Sequence, residues 1–539
     1  MKKMFLAVCL SVMMSVFCFD IAFAVGEGGQ IPDKITIEHW SCKEVAALGT
    51  KYDAKKKLPD TVVMEGKSCA RKELAGCLFA VIESVLEKHG REGADAIPRD
   101  DLDRISKLHD ALKTELAATE GYLTRREEIE KILAAPEVPP FLLKVGVNGF
   151  LRGEGVGNFR LPDFSYTPNH NEGRFLYRVK PYAYWHPTDF LDIHLEGQGY
   201  GFSGGSQYYG KYSLYQGFAE GRLPEKNLLA LKIGRQEFNY GSAFILGSDS
   251  FYDGLTFDAA RLRIKPVESL SIDLLGGWYA TPFSDGLKGD LEGAYVTCTF
   301  SEGNVLEAYG FRDTGSEDRH PGEHRDTWGI RVTAKFGPVS LEFEPVFQTG
   351  RTFNQLSGSN DSIGAYGGHA DMLVEVPLGG RASTLFLSYA ISSGSRDAVN
   401  GISSRKEFQN PNNDTSLVGD MNVIGDLSGV DVNDNHASGL QIWTLGWGMD
   451  LTEKINFSAT GRYFLAGDVP NGFSRNLGLE TDFTLNYAVG ENVSLIIGYD
   501  HFFTGRFFRD ASGRGGDIDY GYAMLQYDLA KTWKRIKKG

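Results

Sequence analysis

Basic side chains recur at alternate positions in two stretches of the chain, with apolar residues between them. Successive side chains of a β-strand point to opposite faces, so alternate cations share one face. If that face lines a water-filled passage, it raises the local concentration of anions and selects for them. The residues are Arg174, Arg178 and Lys180 in the first stretch, and Arg261 and Arg263 in the second.

A second interpretation of these cations is purely structural. Asp192, Glu196 and Asp273 fall at the same phase in nearby stretches. If these carboxylates pair with the basic residues, the cations stabilise the wall of the passage and do not select a cargo.

The histidines and serines of the chain form no pattern that supports catalysis. No serine stands in the strand-to-helix setting of a Gly-x-Ser-x-Gly nucleophile motif. The histidines lack the spacing of metal ligands; they include His194, His320, His324, His369, His436 and His501. The sequence therefore predicts a protein that is not an enzyme and has neither a cofactor nor a metal site.

The elements that position these residues are predicted to be strands. From Phe141 onward, short segments alternate between apolar and polar residues, as in Ile455 to Tyr463, where Arg462 lies on the polar face. Leu477 to Tyr487 and Leu191 to Gln198 repeat the pattern. One face is suited to lipid and the other to water, which is typical of an outer-membrane barrel. We predict an all-β transmembrane antiparallel barrel, with Arg462 among the pore-lining residues.

The connections between these segments alternate in length. Short turns are predicted at positions such as His186 to Asp189 and Val489 to Asn492, and long polar links lie between them, the longest from about Ser392 to Ser438. Short periplasmic turns and long extracellular loops are the pattern of a barrel of about 18 strands, here from near Lys144 to near Leu529. Both ends of the barrel then lie in the periplasm. Its interior is too wide for side chains to fill, so it holds water, a plug or a cargo.

The first residues have the pattern of an export signal. Lys2 and Lys3 precede an apolar run, and Ala22 and Ala24 supply small residues for cleavage, so residues 1–24 are predicted to be a signal peptide. The rest of the chain has no uninterrupted apolar run of about twenty residues, the length of a spanning helix. A formal net charge of -14 makes nucleic acid an unsuitable partner.

Residues 25–140 are charged and have a helical period. Leu102, Ile105, Leu108, Leu112 and Leu116 form the apolar stripe of an amphipathic helix, which packs either in a short coiled coil or on its own domain. We expect a small α-helical periplasmic domain in two parts, residues 25–97 and then a helix and Pro-rich linker over 98–140. The barrel follows over 141–530, and a basic tail over 531–539 is expected to touch anionic lipid headgroups or the cell wall.

The first of these parts resembles a single S-layer homology module. A His-Trp pair enters a first helix at His39 and Trp40, and Arg71 and Glu73 open a second, although Ala70 and Lys72 depart from the family pattern. The resemblance implies that Trp40, Arg71 and Glu73 bind peptidoglycan or another cell-wall polymer. The structural alternative is that Arg71 and Glu73 cap a helix and Trp40 fills a small core.

Four cysteines, Cys42, Cys69, Cys77 and Cys298, follow the predicted signal. In an oxidising compartment Cys42 could pair with Cys69 or Cys77. If Cys69 and Cys77 share one helix, they are roughly 12 Å apart and cannot bridge. Three buried free thiols are the alternative.

The predicted barrel resembles the alginate export family of outer-membrane proteins. Leu231 to Gly241 carries a Gly-Arg-Gln strand end, Leu255 to Leu262 carries a Phe-Asp-x-x-Arg strand start, and the loop from Tyr389 to Pro411 is also similar. The resemblance covers most of 141–529 and implies an 18-stranded barrel with an arginine-rich pore that passes an anionic polysaccharide. The wall-binding module is a departure from that family.

In two residues of this motif, the alternation of side chains along the strand points away from the predicted pore. Strict alternation places Arg235 on the lipid face with Leu231 and Ile233, where a mid-depth arginine costs about 2 to 4 kcal/mol. We expect a bulge at Gly234 to turn Arg235 inward and pair it with Asp258 beside the constriction; the polar rim of the barrel is the alternative.

The sequence thus predicts an outer-membrane channel for anionic polysaccharide or oligosaccharide, tethered to the cell wall. A general wall-anchored porin for small anions or sugars is one alternative. A structural tether between membrane and wall is the other, and loops folded inward as a plug would favour it.

Overall fold

A computed structural model describes residues 34–534 except for 36–39, 53, 55–68, 93–96, 98, 120–121, 134–141, 162–163, 189, 205–206, 224–227, 249–250, 252–253, 281–288, 315–320 and 422. The predicted signal peptide lies outside the described residues, as does the end of the tail. The chain forms two compact units, Met1–Val138 and Pro139–Gly539.

The first unit is helical. Its helices are α1 Trp40–Lys51, α2 Arg71–Glu92, α3 Arg99–Ala111, α4 Lys113–Ala117 and α5 Tyr122–Leu133, and the short strands β1 Lys34–Ile35 and β2 Cys69–Ala70 pair antiparallel. Ile105, Leu108, Leu112 and Leu116 of the predicted stripe are fully buried in a core shared with α1 and α2. The stripe therefore packs on its own domain, and residues on both sides of position 97 belong to one unit.

A buried carboxylate joins α1 to α3. Asp101 is 2% exposed and accepts a hydrogen bond from Tyr52 Oη at 2.5 Å, while Lys51 Nζ lies 2.7 Å from it. Burial alone would raise the pKa of Asp101, but the hydrogen bonds from Lys51 and Tyr52 lower it below its usual value. Cys42 and Cys77 are buried in the same core; Cys69 lies in β2 and not in the helix of Cys77, and its side chain is outside the described part.

The second unit is a closed antiparallel barrel with 18 strands in its wall, as predicted. The wall strands are β3 Leu142–Arg160, β4 Ser165–Thr188, β5 Leu191–Gly204, β6 Gln207–Arg222, β7 Leu229–Gln236, β8 Phe257–Val267, β9 Leu270–Tyr279, β10 Asp290–Ser301, β11 Asn304–Asp313, β12 His324–Phe336, β13 Val339–Asn354, β14 Ser359–Glu375, β15 Ser383–Ser392, β17 Asn435–Asp450, β18 Ile455–Asp468, β19 Asn476–Gly490, β20 Val493–Thr504 and β21 Ile518–Lys534.

The connections alternate between short turns and long loops. One long loop contains helix α6 Arg396–Val399 and the strand β16 Gly429–Val432, which pairs with the start of β17, and another contains helix α7 Arg506–Ser512. The barrel closes where β21 pairs with β3, and this pairing continues to Lys534 opposite Leu142. Residues 531–534 of the expected tail are thus part of the last strand.

The outer face of the barrel is apolar. Leu195, Ile233 and Phe343 are more than half exposed and point away from the lumen. All six tryptophans of the barrel are also exposed on this face, a position typical of membrane interfaces; they are Trp185, Trp278, Trp328, Trp443, Trp447 and Trp533. The wall is therefore suited to contact lipid around its circumference. In the described helices, no segment is long and apolar enough to span a membrane.

Candidate functional site

Two of the long loops fold into the lumen. We call residues 237–256 the first lumen loop and residues 393–428 the second lumen loop. Phe244 and Phe408, one from each loop, are fully buried with ring centroids 5.9 Å apart. Backbone hydrogen bonds join the loops, from Gly247 N to Asn412 O at 2.8 Å and from Asp414 N to Ala243 O at 2.9 Å. The two loops thus form one packed body inside the barrel.

The first lumen loop contacts the wall on two sides. Phe251 stacks on Phe150 of β3 with centroids 4.9 Å apart, and its carbonyl oxygen accepts a hydrogen bond from Arg178 Nη1 of β4 at 3.0 Å. On the other side, Ser242 Oγ donates to Glu344 of β13 at 3.1 Å. Because these strands are far apart in the wall, the loop crosses the lumen and narrows it.

The second lumen loop is held by polar contacts to β12, β13 and β19. Arg325 donates to Gln409 Oε1 at 2.8 Å, and Gln348 Nε2 donates to the backbone oxygen of Gln409 at 2.5 Å. Asp420 N donates to Glu480 Oε1 at 2.8 Å. These contacts fix the loop against the wall.

The predicted cations of β4 face the lumen in different surroundings. Arg174 pairs with Glu154 of β3, and Arg152 Nε lies 2.8 Å from the other oxygen of the same carboxylate. Lys180 Nζ lies 3.7 Å from Glu196 Oε1 and 3.4 Å from the centroid of the Tyr215 ring. Two arginines therefore share one carboxylate, while Lys180 has its own.

Arg178 is the exception. Among the described residues it forms no ion pair; it donates to the carbonyl of Phe251 and lies over the Phe150 ring at 4.9 Å, and its Nε has no hydrogen-bond partner. A peptide oxygen satisfies one donor but carries no full charge. Arg178 therefore contacts the first lumen loop without a paired carboxylate among the described residues, although Glu196 and Glu237 lie near enough to attract its charge.

The two arginines of β8 are both paired. Arg263 donates to both oxygens of Asp273 at 2.7 and 2.8 Å, and Arg261 Nη2 lies 3.2 Å from Glu220 Oε2. For Arg174, Lys180, Arg261 and Arg263 the geometry favours structural ion pairs over free cations. Asp192 pairs with Arg222 and His186, not with the predicted arginines.

Arg235 and Asp258 do not line the pore, in contrast to our expectation. They pair through two bonds of 2.9 Å, but the register of β7 with β6 and β8 is regular through Gly234 and Arg235. Arg235 keeps the phase of Leu231 and Ile233, which are exposed, and the Asp258 side chain is 50% exposed. The pair lies on the outer face where β7 meets its long loop. Arg235 is therefore stabilised by Asp258 and by its position at the rim, and no bulge is needed to turn it inward.

Carboxylate side chains predominate around Arg462. This arginine pairs with Asp482, and Glu480 and Asp420 lie 4.0 and 3.9 Å from it. Asp500, fully buried, stands opposite Asp482 in the register of β19 and β20, and neither of its carboxylate oxygens has a hydrogen-bond partner among the described residues. One arginine thus faces several carboxylates.

Sequence inspection missed a polar cluster on β12 to β14. Glu342, Glu344 and His369 bring ligand atoms within 4.8 Å of one another, a geometry that could hold a metal ion. Arg331 donates to both oxygens of Glu342 at 2.7 Å, which satisfies that carboxylate without a metal. The signal was the alternation in Glu342-Phe343-Glu344 and His369-Ala370-Asp371, but only strand register shows that these pairs are neighbours.

Comparisons with known proteins found one family model and several similar solved structures. The family model for alginate export matches residues 212–417, a shorter stretch than the resemblance suggested. Similar solved structures from Pseudomonas aeruginosa include OccK5 (OpdH), with 12% identity, 72% of this chain and 98% of that chain covered and a TM-score of 0.49. OpdL is 14% identical, with 72% of this chain and 99% of that chain covered and a TM-score of 0.49. OccK11 (OpdR) is 14% identical, with 72% of this chain and 96% of that chain covered and a TM-score of 0.47. No curated protein matches the chain.

The closed barrel, its apolar outer face and the family match together describe an outer-membrane channel. The protein is located in the outer membrane of a Gram-negative cell.

The predicted wall-binding residues lie in the helical unit. Arg71 begins α2 and pairs with Glu115 at 2.5 Å, and its Nη2 donates to the carbonyl of Ala111 at 2.9 Å. Glu73 is exposed in the first turn of α2. Trp40 is the first residue of α1, and its side chain lies outside the described part of the structure. Arg71 thus has a structural contact within its own domain.

Proposed function

We propose that the barrel passes an anionic polysaccharide or oligosaccharide through the space that the lumen loops leave inside it. The observation that supports this most directly is Arg178, a cation that forms no ion pair with the described residues and contacts the first lumen loop where that loop narrows the lumen. Arg152 and Arg174 lie nearby, and both contact the carboxylate of Glu154. An acidic polymer is attracted to such a group of cations.

The narrowing increases the effect of these charges. A fixed charge is screened over roughly 8 to 10 Å at ordinary salt, so a wide lumen would contain mostly unaffected water. Where a loop brings the walls of the passage within that distance, every passing ion experiences the field of Arg178. The preference for anions should therefore be strong at low salt and weak near 1 M salt.

Reversal potentials in planar bilayers test the proposal. We expect wild-type channels to prefer chloride over potassium, and Arg178→Glu to reduce or reverse that preference. The matched control is Arg235→Gln with Asp258→Asn, which removes one charge of each sign from the outer face and should leave selectivity unchanged. Unchanged selectivity in Arg178→Glu would refute the proposed role of the constriction.

The same recordings separate the alternative functions. Acidic oligosaccharides should interrupt the current of a polysaccharide channel, whereas a general porin for small anions would conduct chloride without such interruptions. A structural tether closed by its loops would show no unitary conductance. Interruption by neutral oligosaccharides at equal frequency would contradict selection of an acidic cargo.

We further propose that the helical unit tethers the channel to the cell wall. The support is the resemblance of its first part to an S-layer homology module and the position of Arg71 and Glu73 at the start of α2. The test is co-sedimentation of the full chain with purified sacculi, comparing Arg71→Gln with Glu115→Gln. Both variants break the same ion pair, so loss of binding in Arg71→Gln alone indicates contact with the wall. Equal behaviour of the two variants would reduce Arg71 to a structural role.

A further inference from the structure

One row of side chains crosses five adjacent strands of the lumen close to the short turns. In the strand register, Lys144 of β3 stands opposite Tyr184 of β4, Tyr184 opposite His194 of β5, and His194 opposite Phe218 of β6. Phe218 stands opposite Gly234 of β7. These side chains face the lumen and are partly exposed to it.

The rings of this row contact one another. His194 and Phe218 stack with centroids 5.1 Å apart, and Tyr184 lies 6.4 Å from His194. Tyr182, beside the row on β4, lies 6.5 Å from His194. The row therefore presents continuous aromatic surface along the wall.

A lysine lies at each end of the row against an aromatic ring, and the carboxylate nearest to Lys232 in the register, that of Glu220, is not within ion-pair distance of it. Lys232 Nζ of β7 is 3.6 Å from the centroid of Phe218, and Lys144 Nζ is 5.5 Å from that of Tyr182. Among the described residues neither ammonium group forms an ion pair. A lysine has three donors, and a ring face does not replace a carboxylate as their acceptor.

From this geometry we propose that the row is a binding subsite for an acidic oligosaccharide at the periplasmic end of the lumen. The inference rests on the proposed function and specifies one place in the lumen where the cargo binds. The two lysines bind carboxylates of the sugar units, and the aromatic surface packs against the apolar C–H faces of the sugar rings.

The separation of the lysines predicts a dependence on chain length. Four strand steps of about 4.8 Å place β3 and β7 roughly 19 Å apart along the wall. A single acidic sugar reaches one lysine, whereas a longer oligomer reaches both and gains from the second contact at high effective concentration. Affinity should therefore rise steeply with length until both ends are engaged, and then change little.

The experiment measures block of single channels by galacturonate and by oligogalacturonates of increasing length, added on the periplasmic side. For the wild type we expect the longest oligomers to block at least ten-fold more strongly than the monomer. The double variant Lys144→Gln with Lys232→Gln should lose most of this length dependence, and Phe218→Ala should weaken block by every length. Lys335→Gln is the matched control, because Lys335 lies at the same end of the barrel and pairs with Glu375 at 3.4 Å.

Heat-modifiable gel mobility and normal unitary conductance establish that each variant is folded. Length dependence that survives in the double variant, or that is lost equally in Lys335→Gln, overturns the subsite. Failure of the subsite is distinguishable from failure of the channel proposal. If Arg178→Glu changes the ion selectivity but the variants of the row do not change the block from the periplasmic side, the subsite is wrong and the proposed function is unaffected.

Discussion

Two neighbouring sectors of the lumen wall carry different charged side chains although they are built from the same alternating strands. Basic residues predominate on β3 and β4, which we call the basic sector, and carboxylates predominate on β18 to β20, which we call the acidic sector. On β3 and β4, Arg152 and Arg174 share one carboxylate and Arg178 has no ion pair among the described residues. On β18 to β20, Arg462 faces Glu480 and Asp482, and Asp500 has no hydrogen-bond partner in the part of the chain that the structure describes.

The lumen loops meet these sectors with complementary backbone groups. A carbonyl oxygen, that of Phe251, accepts from Arg178, and an amide, that of Asp420, donates to Glu480. Peptide groups satisfy hydrogen bonds without cancelling full charges. The comparison teaches that loops can satisfy hydrogen bonds in two neighbouring sectors of the wall without neutralising the charged side chains of either.

The largest effect is expected in the acidic sector. Arg462→Leu removes the one arginine that pairs with Asp482, and breaking a buried ion pair by removing one partner costs about 3–5 kcal/mol. The unfolding temperature of unboiled barrel on detergent gels should fall well below that of the wild type. Arg178→Gln, which breaks no ion pair among the described residues, should lower the unfolding temperature much less. An equal loss in both variants would remove the distinction between the sectors.

The next effect tests whether the loops, more than the charges, set the width of the passage. Phe408→Ala removes a fully buried ring that packs against Gly367 of β14, and a buried Phe→Ala change costs roughly 3 kcal/mol. We expect higher and noisier unitary conductance because the packed loops loosen. Phe343→Ala, on the outer face and 55% exposed, is the control. Unchanged conductance in Phe408→Ala would show that the loops do not limit flow.

A smaller effect is expected when a carboxylate is removed from β3. Glu154→Gln frees Arg152 and Arg174 from their shared carboxylate, so the anion preference of the channel should increase. The shift, measured as reversal potential, should be the opposite of that in Arg178→Glu and should disappear near 1 M salt because the charges are then screened. A shift toward cations would contradict the assignment of positive excess to the basic sector.

The smallest effect concerns a carboxylate outside the barrel whose charge is fully satisfied. The pKa of Asp101 is lowered in the folded state, so its contribution is present above its unfolded pKa of about 3.9 and is lost as pH falls below that value. Asp101→Asn should cost about 1 kcal/mol of helical-domain stability at pH 7. The difference should vanish toward pH 2, measured by circular dichroism at 222 nm in the full chain. A difference that grows in acid would reverse the sign of this argument.

The sequence predicted the strands of the barrel wall better than the contacts between side chains inside the barrel. Alternation within a strand is local, so the strands, their number and the turns could be derived from segments such as Ile455 to Tyr463. Pairing across strands is set by register between distant segments, and so Glu154, which is shared by two arginines, was not recognised. Arg235 was misplaced because its outward phase was treated as a conflict, whereas Asp258 on the next strand satisfies it.

The second lumen loop carries a sequence signal of burial. Residues 417–430 are rich in Leu, Val, Met and Ile although they lie in a connection predicted to be polar. Apolar residues in a long loop indicate that the loop is buried against something. Nothing local indicates that this partner is another loop inside the barrel.

The pairing of β21 with β3 bears on how the molecule assembles. These strands are the last and the first of the wall, so the cylinder can be completed only after the intervening chain has been made and its hairpins have lined up. The lumen loops are packed together and hydrogen-bonded to strands from several regions of the wall, so their packing depends on strands that come together only as the barrel closes. A partly assembled sheet without the aromatic residues of these loops would expose its polar inner surface to the bilayer. Substitutions that loosen the loop packing should therefore impair assembly of the barrel before they impair transport.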